Sequence, residues 1–315
     1  QGFGFVELAI VLEEMGRSLL CAPYFSTVVM AATAILNAGD EEQKRALLPP
    51  ISAGKNRAAL AFTEENGRWD SAGMAMTAKA VEDGYQLDGV KSFVLDGHTA
   101  ELIVVLARAP GTAGDNGLSF FTVAGDADGL SRKRLQGVDD TRKLARLEFN
   151  GVSAQLLGSE GAAAAPLTKT LDQAVTCLAN EMVGGAEALR EQALDYAQLR
   201  MQFGRTIASF QTMKHKSADM LIDVELAKSA AYYAAAAADG DHDGGEELGA
   251  MASLAKAGAA EAYMQTAIHT IQIHGGIGFT WDNDTHLWFK RAKSSEVFLG
   301  EPSYHRELML QRWQG

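Results

Sequence analysis

The residue types that could carry chemistry in this sequence exclude three common kinds of site. Cys21 and Cys177 lie far apart and belong to no CxxC motif or Cys/His cluster, so we expect neither a disulfide framework nor a metal site. No GxGxxG motif follows any predicted strand, so the fingerprint of a Rossmann dinucleotide site is missing. The remaining candidates are concentrated in residues 200–211 and 272–276.

Taken singly, the residues of these two segments have structural explanations. Arg200 would be a solvated cation at the end of a helix, and Phe203 and Phe210 would be core residues. The pair Gly275-Gly276 would be the C-cap of a helix. None of these residues taken alone therefore indicates a ligand site.

Composition and charge limit the classes of partner. A formal net charge of −12 on 315 residues gives no support to nucleic acid or an anionic membrane as a partner. Hydrophobic residues make up 47% and charged residues 22%, which is ordinary for a globular protein with a buried core. No apolar run would span a bilayer, and no segment has the pattern of a secretory signal. We therefore expect a cytoplasmic enzyme or enzyme subunit.

The elements that must position these residues follow in the order helical, β and helical again, which predicts an α+β fold. Helices are expected over 6–20, 24–38 and 41–48, the last ending before Pro49-Pro50. Little precedes them to pack against, so we predict an incomplete N-terminal helical domain over 1–55.

A β-domain is predicted over 56–158, because the hydrophobic period changes to two. Its short runs are bounded by Gly, Asp, Asn or Pro, which favours an antiparallel sheet or small barrel over βαβ units. The predicted strands are 57–63, 74–81, 85–89, 91–95, 101–107, 118–124 and 143–149.

The rest of the chain, 159–315, is predicted to form a helical bundle. Apolar residues recur every three or four positions from Leu171 to Tyr196, with Pro166 near the start and Gly204 beyond the end, which indicates one long helix. Further helices are expected over 208–238 and 248–273, with shorter ones within 284–315. The acidic, Gly-rich segment 239–247 predicts a solvated turn.

Four segments resemble the acyl-CoA dehydrogenase family in order and spacing. They are LAFTEENGRWD (60–70), LDGVKSFVLDGHTAELIVVLA (87–107), RMQFGRTIASFQTMKHKSADM (200–220) and IQIHGGIGFTWDNDTHLWFKRAKSSEVFLG (271–300). The succession RxxFG, FQ and QxxGG is the most specific part, and the resemblance covers essentially the whole chain.

The resemblance implies a helix–β–helix fold and FAD held between two subunits. It also implies α,β-dehydrogenation of an acyl-CoA thioester, with electrons passed to an electron-transfer flavoprotein. The protein would form a homodimer or tetramer, or pair with an unlike acyl-CoA dehydrogenase subunit. The residues that match cofactor-binding positions of the family are Thr63, Phe93, Arg200, Phe203, Phe210, Gln211, Gln272, Gly275 and Gly276.

The sequence departs from the family pattern at the positions closest to the chemistry. Where the family has TEPxxGSD, only Thr63, Glu64 and Asp70 are kept; Arg68 replaces a glycine and Trp69 a serine that contacts CoA. Leu95 stands where a Ser or Thr normally bonds flavin N5, and a leucine cannot make that bond. We expect Trp69 and Leu95 to close this chain's own flavin and thioester site.

Neither position that holds the catalytic glutamate in the family carries a carboxylate here. The two positions align with Leu299 and Ala174. The carboxylates nearest in sequence are Asp172, Glu181 and Glu301; Glu301 and Ser303 also occupy positions that help to hold FAD in the family. The catalytic residue is therefore unassigned, and we expect the isolated chain to dehydrogenate acyl-CoA substrates weakly or not at all.

Four explanations of this pattern stay open. The chain could be the baseless member of a pair of unlike subunits, as in actinobacterial steroid degradation, or a divergent homodimer with a relocated base. It could also be a non-catalytic binding homologue, or an oxygen-using flavin enzyme of the same fold.

Overall fold

The computed structural model describes residues 2–240 and 247–313. They fall into two compact units, one drawn from Gln1–Leu20 and Asp172–Gly315 and the other from Cys21–Leu171. The three-part division predicted from the sequence stays a prediction. Most of the predicted acidic turn, residues 241–246, lies outside the described residues.

Helices open the second unit, and two of them differ from the prediction. The predicted helix 24–38 begins as a π-helix, Phe25–Ala32, and continues as α2, Thr33–Ala38. The predicted end before Pro49-Pro50 was wrong, because α3 extends over Glu41–Ser52 and contains both prolines. Their carbonyls accept bonds from Ala53, Lys55 and Asn56, which closes the last turn.

A closed, mainly antiparallel sheet forms the core of this unit, as the sequence predicted. Its strands are β1 (Ala58–Ala61), β2 (Thr77–Val81), β3 (Gly84–Leu95), β4 (Leu102–Arg108), β5 (Leu118–Ala124), β6 (Leu130–Arg134) and β7 (Leu144–Leu157). Five strands pair in the ring β4-β2-β3-β7-β5 and back to β4. β1 adds to β4 in parallel, and β6 pairs with β7. The interior is filled by apolar side chains such as Leu87, Ile103 and Phe121.

Two features of the sheet were missed by the period-two pattern. The runs predicted as 85–89 and 91–95 form the single strand β3, which bends at two register irregularities against β7. β6 was not predicted, because its sequence, LSRKR, is largely polar and takes its pairing from β7.

Helices make up most of the first unit, as predicted. They are α1 (Phe5–Arg17), most of α4 (Ala164–Leu199), α5 (Gln211–Ala238), α6 (Leu248–His274), α7 (Thr285–Val297) and α8 (Pro302–Trp313). A short hairpin, β8 (Met201–Gln202) and β9 (Arg205–Thr206), joins α4 to α5. Within the described part of the chain, no helix is long and apolar enough to cross a membrane.

Glycines allow α1 and α4 to approach each other closely. A Cβ on Gly16 would lie 1.9 Å from the carbonyl oxygen of Glu181, and one on Gly184 would lie 1.9 Å from that of Glu13. No side chain larger than hydrogen fits at either position, so these glycines set the spacing of the two helices.

Candidate functional site

The segments around Arg200 and Gly275 meet at one end of the bundle. Tyr196, one turn before Arg200, stacks on His274 with ring centroids 4.3 Å apart. Buried side chains join the end of α4, the start of α5 and the end of α6; they are Ala193, Ala197, Ile207, Met220 and Ile273. Residues more than seventy positions apart in the sequence, such as Tyr196 and His274, are therefore neighbours in the bundle.

The β8–β9 hairpin presents an aromatic side chain on a strained turn. Phe203 and Gly204 form its two-residue loop, with φ angles of 53° and 77°. This conformation matches a type I′ turn, which favours Asn-Gly or Gly-Gly, so a phenylalanine there is strained. The Phe203 side chain is 90% exposed and lies edge-on to Phe210 at 6.0 Å. The guanidinium of Arg205, which the sequence analysis did not single out, covers Phe210 at 4.0 Å.

Two other predicted cofactor contacts at this end of the bundle, Arg200 and Gln211, have exposed side chains. Arg200 is held by its backbone, since its N–H donates to Tyr196 and its carbonyl accepts from Ile207, while its side chain is exposed. Among residues 2–240 and 247–313 it forms no ion pair. Gln211 is also exposed, at the first residue of α5, 3.5 Å from His215.

The end of α6 leaves open space for a ligand. Gly275 caps the helix at φ 65°, and its N–H bonds the carbonyls of Ile271 and Gln272. A Cβ built on Gly275 or Gly276 would meet no atom within 4 Å, and Gln272 is exposed one turn before. The backbone at the end of α6 can therefore be approached closely, as the pyrophosphate of a flavin dinucleotide would require, and Arg200 carries an exposed guanidinium at the same end of the bundle.

The two predicted contacts from the β-domain are adjacent. Thr63 is buried, and its Oγ1 donates to the Ser92 carbonyl at 2.6 Å. The Ser92 N–H donates in return to the Thr63 carbonyl at 3.0 Å. Phe93 follows with φ 59° and a side chain that is 40% exposed. Thr63, predicted to contact the cofactor, therefore uses its hydroxyl to support the backbone beside Phe93.

A buried ionic cluster behind Phe93 was not recognised from the sequence. Lys91 is fully buried, and its Nζ lies 2.8 Å from Oε1 of Glu64. Burial lowers the pKa of Lys91 to about 8, against the opposing charge of Glu64. Burial raises the pKa of Glu64, but the charge of Lys91 and the hydrogen bonds of the carboxylate outweigh it and leave the pKa lowered.

Arg108 completes this cluster and fastens the loop between Glu64 and β2. Its guanidinium donates to the carbonyls of Met74 at 2.6 Å and of Ser71 at 3.0 Å. The sequence signals for the cluster are weak: Arg108 is the one cation of the otherwise apolar strand β4, and Lys91 lies beside the apolar end of β3. Such a cation is rarely buried without partners.

The first base position lies in a rigid turn between α7 and α8. Leu299 is buried and has φ 60°, a strained value for a leucine. The buried Nζ of Lys256 donates to the carbonyls of Glu296 at 2.9 Å and Gly300 at 2.6 Å. Nε2 of His305 lies 2.9 Å from the Leu299 carbonyl. Lys256 and His305 thus hold the turn from two sides, but the side chain of Leu299 cannot accept a proton.

The second base position and the nearby carboxylates differ in their surroundings. Ala174 is fully buried in α4. Glu181 forms a buried ion pair with Arg291 at 2.7 Å. Asp172 pairs with Arg312 at 2.6 Å, and burial raises the pKa of Asp172 despite this partner. Glu301 is exposed and directly precedes the first residue of α8.

The flavin and thioester site is expected to be closed by two residues that depart from the family pattern, Trp69 and Leu95, and both lie in the β-domain. Trp69 is half-buried, with its ring 6.0 Å from that of Phe62. Leu95 is buried at the end of β3, opposite Leu144 of β7. The blocking role of these residues stays a prediction, and it competes with a flavin contact at Thr63 and Phe93 of the same chain.

Family models of the acyl-CoA dehydrogenases match almost the entire chain. The N-terminal domain matches residues 1–55, the middle domain 59–152 and the C-terminal domain 159–314.

Known proteins agree with these matches. An acyl-CoA dehydrogenase of Bacillus subtilis is 32% identical over 277 residues, which covers 86% of this chain and 72% of that protein. The butyryl-CoA dehydrogenase structure from Megasphaera elsdenii superimposes with a TM-score of 0.93 at 26% identity and covers 100% of this chain and 83% of its own. A structure of the Tcur3481-Tcur3483 steroid ACAD, 32% identical, has a TM-score of 0.85 over 99% of this chain and 81% of its own. The chain therefore belongs to the acyl-CoA dehydrogenase family of flavin-dependent oxidoreductases.

Proposed function

We propose that this chain is a subunit of an FAD-dependent acyl-CoA dehydrogenase that relies on an unlike subunit for its catalytic base. The bundle end around Arg200 and Gly275 would hold the pyrophosphate side of FAD, with Phe203, Phe210, Gln211, Gln272 and Gly276 around it. Thr63 and Phe93 would form the contact of the β-domain with the flavin.

The reaction requires two transfers from the acyl chain. A carboxylate takes the α-proton while hydride leaves the β-carbon, and the carbon–carbon double bond forms between them. FAD, when bound, supplies the hydride acceptor, and the electrons would pass on to an electron-transfer flavoprotein. The residues of this chain bind and orient, but the two family base positions hold Leu299 and Ala174.

The observation that carries the proposal is a contrast within the bundle, between the end around Arg200 and Gly275 and the turn that contains Leu299. The end proposed to contact the cofactor keeps Arg200 exposed and Gly275 open, whereas Leu299 is buried in a turn that Lys256 and His305 hold in place. Glu181, the nearby carboxylate that is most buried, is already neutralised by Arg291. The similar steroid ACAD Tcur3481-Tcur3483, whose name joins two proteins, supports a pair of unlike subunits.

The test is the visible spectrum and turnover of the chain purified alone. We expect sub-stoichiometric flavin absorbance and acyl-CoA dehydrogenation at least about 10²-fold below that of a complete enzyme, the usual effect of losing a general base. Co-purification with a base-containing family member should restore both flavin content and turnover.

Two results would contradict the proposal. Stoichiometric flavin with robust turnover by the pure chain would show a homomeric enzyme. Abolition of that turnover by Asp172→Asn or Glu301→Gln would locate a relocated base. Asp126→Asn, at an exposed carboxylate of the β-domain, is the matched control.

A further inference from the structure

A β-bulge places Phe93 on the surface of the β-domain. Lys91 pairs with Leu147 and Val94 with Ala145, so three steps along β3 correspond to two along β7. The extra residue lies at Ser92–Phe93, and Phe93 takes up a left-handed backbone conformation. This conformation is unfavourable for a bulky residue, so the surrounding structure must impose it.

Thr63 fixes one side of the bulge. Both polar groups of the Ser92 backbone bond Thr63, the N–H to its carbonyl at 3.0 Å and the carbonyl to its hydroxyl at 2.6 Å. Thr63 and Ser92 are both buried. The backbone on the N-terminal side of Phe93 therefore cannot shift unless Thr63 moves with it.

Lys91 fixes the residues on either side of Thr63. Its Nζ lies 3.3 Å from the Phe62 carbonyl and 2.8 Å from Oε1 of Glu64. Glu64 also accepts the N–H groups of Ala75 and Met76, each at 2.9 Å. The ion pair thus ties β3, just before the bulge, to the segment that carries Thr63.

A buried ion pair is a poor source of stability, because apolar residues of similar volume often serve as well. The ion pair instead supplies directional hydrogen bonds, which specify one arrangement of the backbone. Here that arrangement is the bulge at Phe93, whose exposed ring is a flat apolar face.

We propose that Lys91 is a positioning residue for flavin binding: through Glu64 and Thr63 it holds the bulge that keeps the Phe93 ring available for stacking on the flavin. The inference rests on the proposed function, since the flavin is the planar ligand that this face would contact.

A double-mutant cycle on the purified full chain tests the inference, with FAD affinity measured by quenching of flavin fluorescence. Because Lys91→Met alone would leave Glu64 buried without its partner, the variant is Lys91→Met with Glu64→Gln. Phe93→Ala removes the ring itself, and stacking of this kind is worth about 1 kcal/mol or more, or roughly fivefold in Kd. Lys79→Met, an exposed lysine on β2, is the control.

We expect the paired variant and Phe93→Ala each to weaken FAD binding about fivefold or more, and their combination to weaken it no further than either. Hydrogen exchange of the peptide 91–97 should be faster in the paired variant and unchanged by Lys79→Met. A well-folded paired variant with wild-type affinity, or additive losses in the cycle, would overturn the role of Lys91. If the wild-type chain binds no FAD, either alone or with a partner subunit, the proposed function itself fails and the inference with it.

Discussion

At the scale of single residues, the features that point to function are strained or unpartnered side chains. Phe93, Phe203 and Leu299 all have left-handed backbone conformations, and each lies in a segment that resembles a functional segment of the family. Such conformations are unfavourable for large side chains and persist where the surrounding structure imposes them. Phe203 is the clearest case, because its exposed ring gains little from packing within this chain.

We expect Phe203→Asn to stabilise the free chain and to weaken FAD binding. Asn-Gly is the preferred type I′ loop, so the substitution should relieve about 1 kcal/mol of strain and raise Tm by a few degrees at most for a chain of this size. The lost ring should raise the Kd for FAD. Calorimetry and flavin fluorescence measure the two effects on the same samples.

Met201→Asn is the control for this experiment, because Met201 is exposed but lies on β8 outside the loop. It should give no gain in stability. A Phe203→Asn chain that is less stable than wild type would show that the ring packs usefully in the free chain and that the turn is not strained for function.

At the scale of elements, the turn between α7 and α8 is fastened by groups from two other elements. Lys256 reaches it from α6 and His305 from α8. A cation at the C-terminal end of α7 is also favoured by the helix dipole. Burial, aided by the charge of Lys256, lowers the pKa of His305 to about 4.

This pKa predicts a pH dependence of stability. Between pH 6.5 and about 4, the unfolded chain binds a proton at His305 that the folded chain does not, so stability falls as pH falls through this window. The contribution is fully present above pH 6.5 and amounts to roughly 3 kcal/mol at most. His305→Gln, which keeps a donor for the Leu299 carbonyl, should flatten the slope.

Denaturant titrations of wild type and variant at pH 4.5, 5.5 and 7 measure this difference. His215→Gln, at an exposed position of α5, should leave the slope unchanged. Parallel curves for wild type and His305→Gln would show that His305 titrates normally in the folded chain.

At the scale of the whole molecule, large apolar side chains are gathered on the end of the bundle that carries the candidate cofactor contacts. Leu199, Phe203, Phe279 and Trp281 are 76% to 90% exposed. Lys290 covers the Trp281 ring at 4.7 Å, and His286 packs edge-on to it at the same distance. Exposed apolar groups in this number indicate an interface.

We therefore expect Trp281→Glu to weaken subunit association and FAD binding together. A charge within an apolar interface is costly to desolvate, and the ligand would lose the contacts made by the second subunit. Sedimentation velocity and flavin titration measure both quantities. Val138→Glu, equally exposed but in the β-domain, should change neither. If FAD binding is lost while the subunits stay associated, the FAD-binding surface and the subunit interface are different surfaces.

Local patterns in the sequence were enough to predict the order of helical and β-rich segments, the bounds of most helices and the family. Helical period, short apolar runs and turn residues depend on contacts close along the chain. The motifs RxxFG, FQ and QxxGG likewise identified the candidate cofactor contacts without any knowledge of their positions in space.

Tertiary structure alone decided the features that depend on distant partners. The bulge at Phe93 needs the register of β3 against β7, and the burial of Lys91 needs Glu64, 27 positions earlier in the chain. β6 becomes a strand because β7 offers it hydrogen bonds, and Phe203 shows its strain only in the closed hairpin. Each of these results from packing and pairing between residues far apart in sequence, and a single sequence carries no local signal for which partner will be chosen.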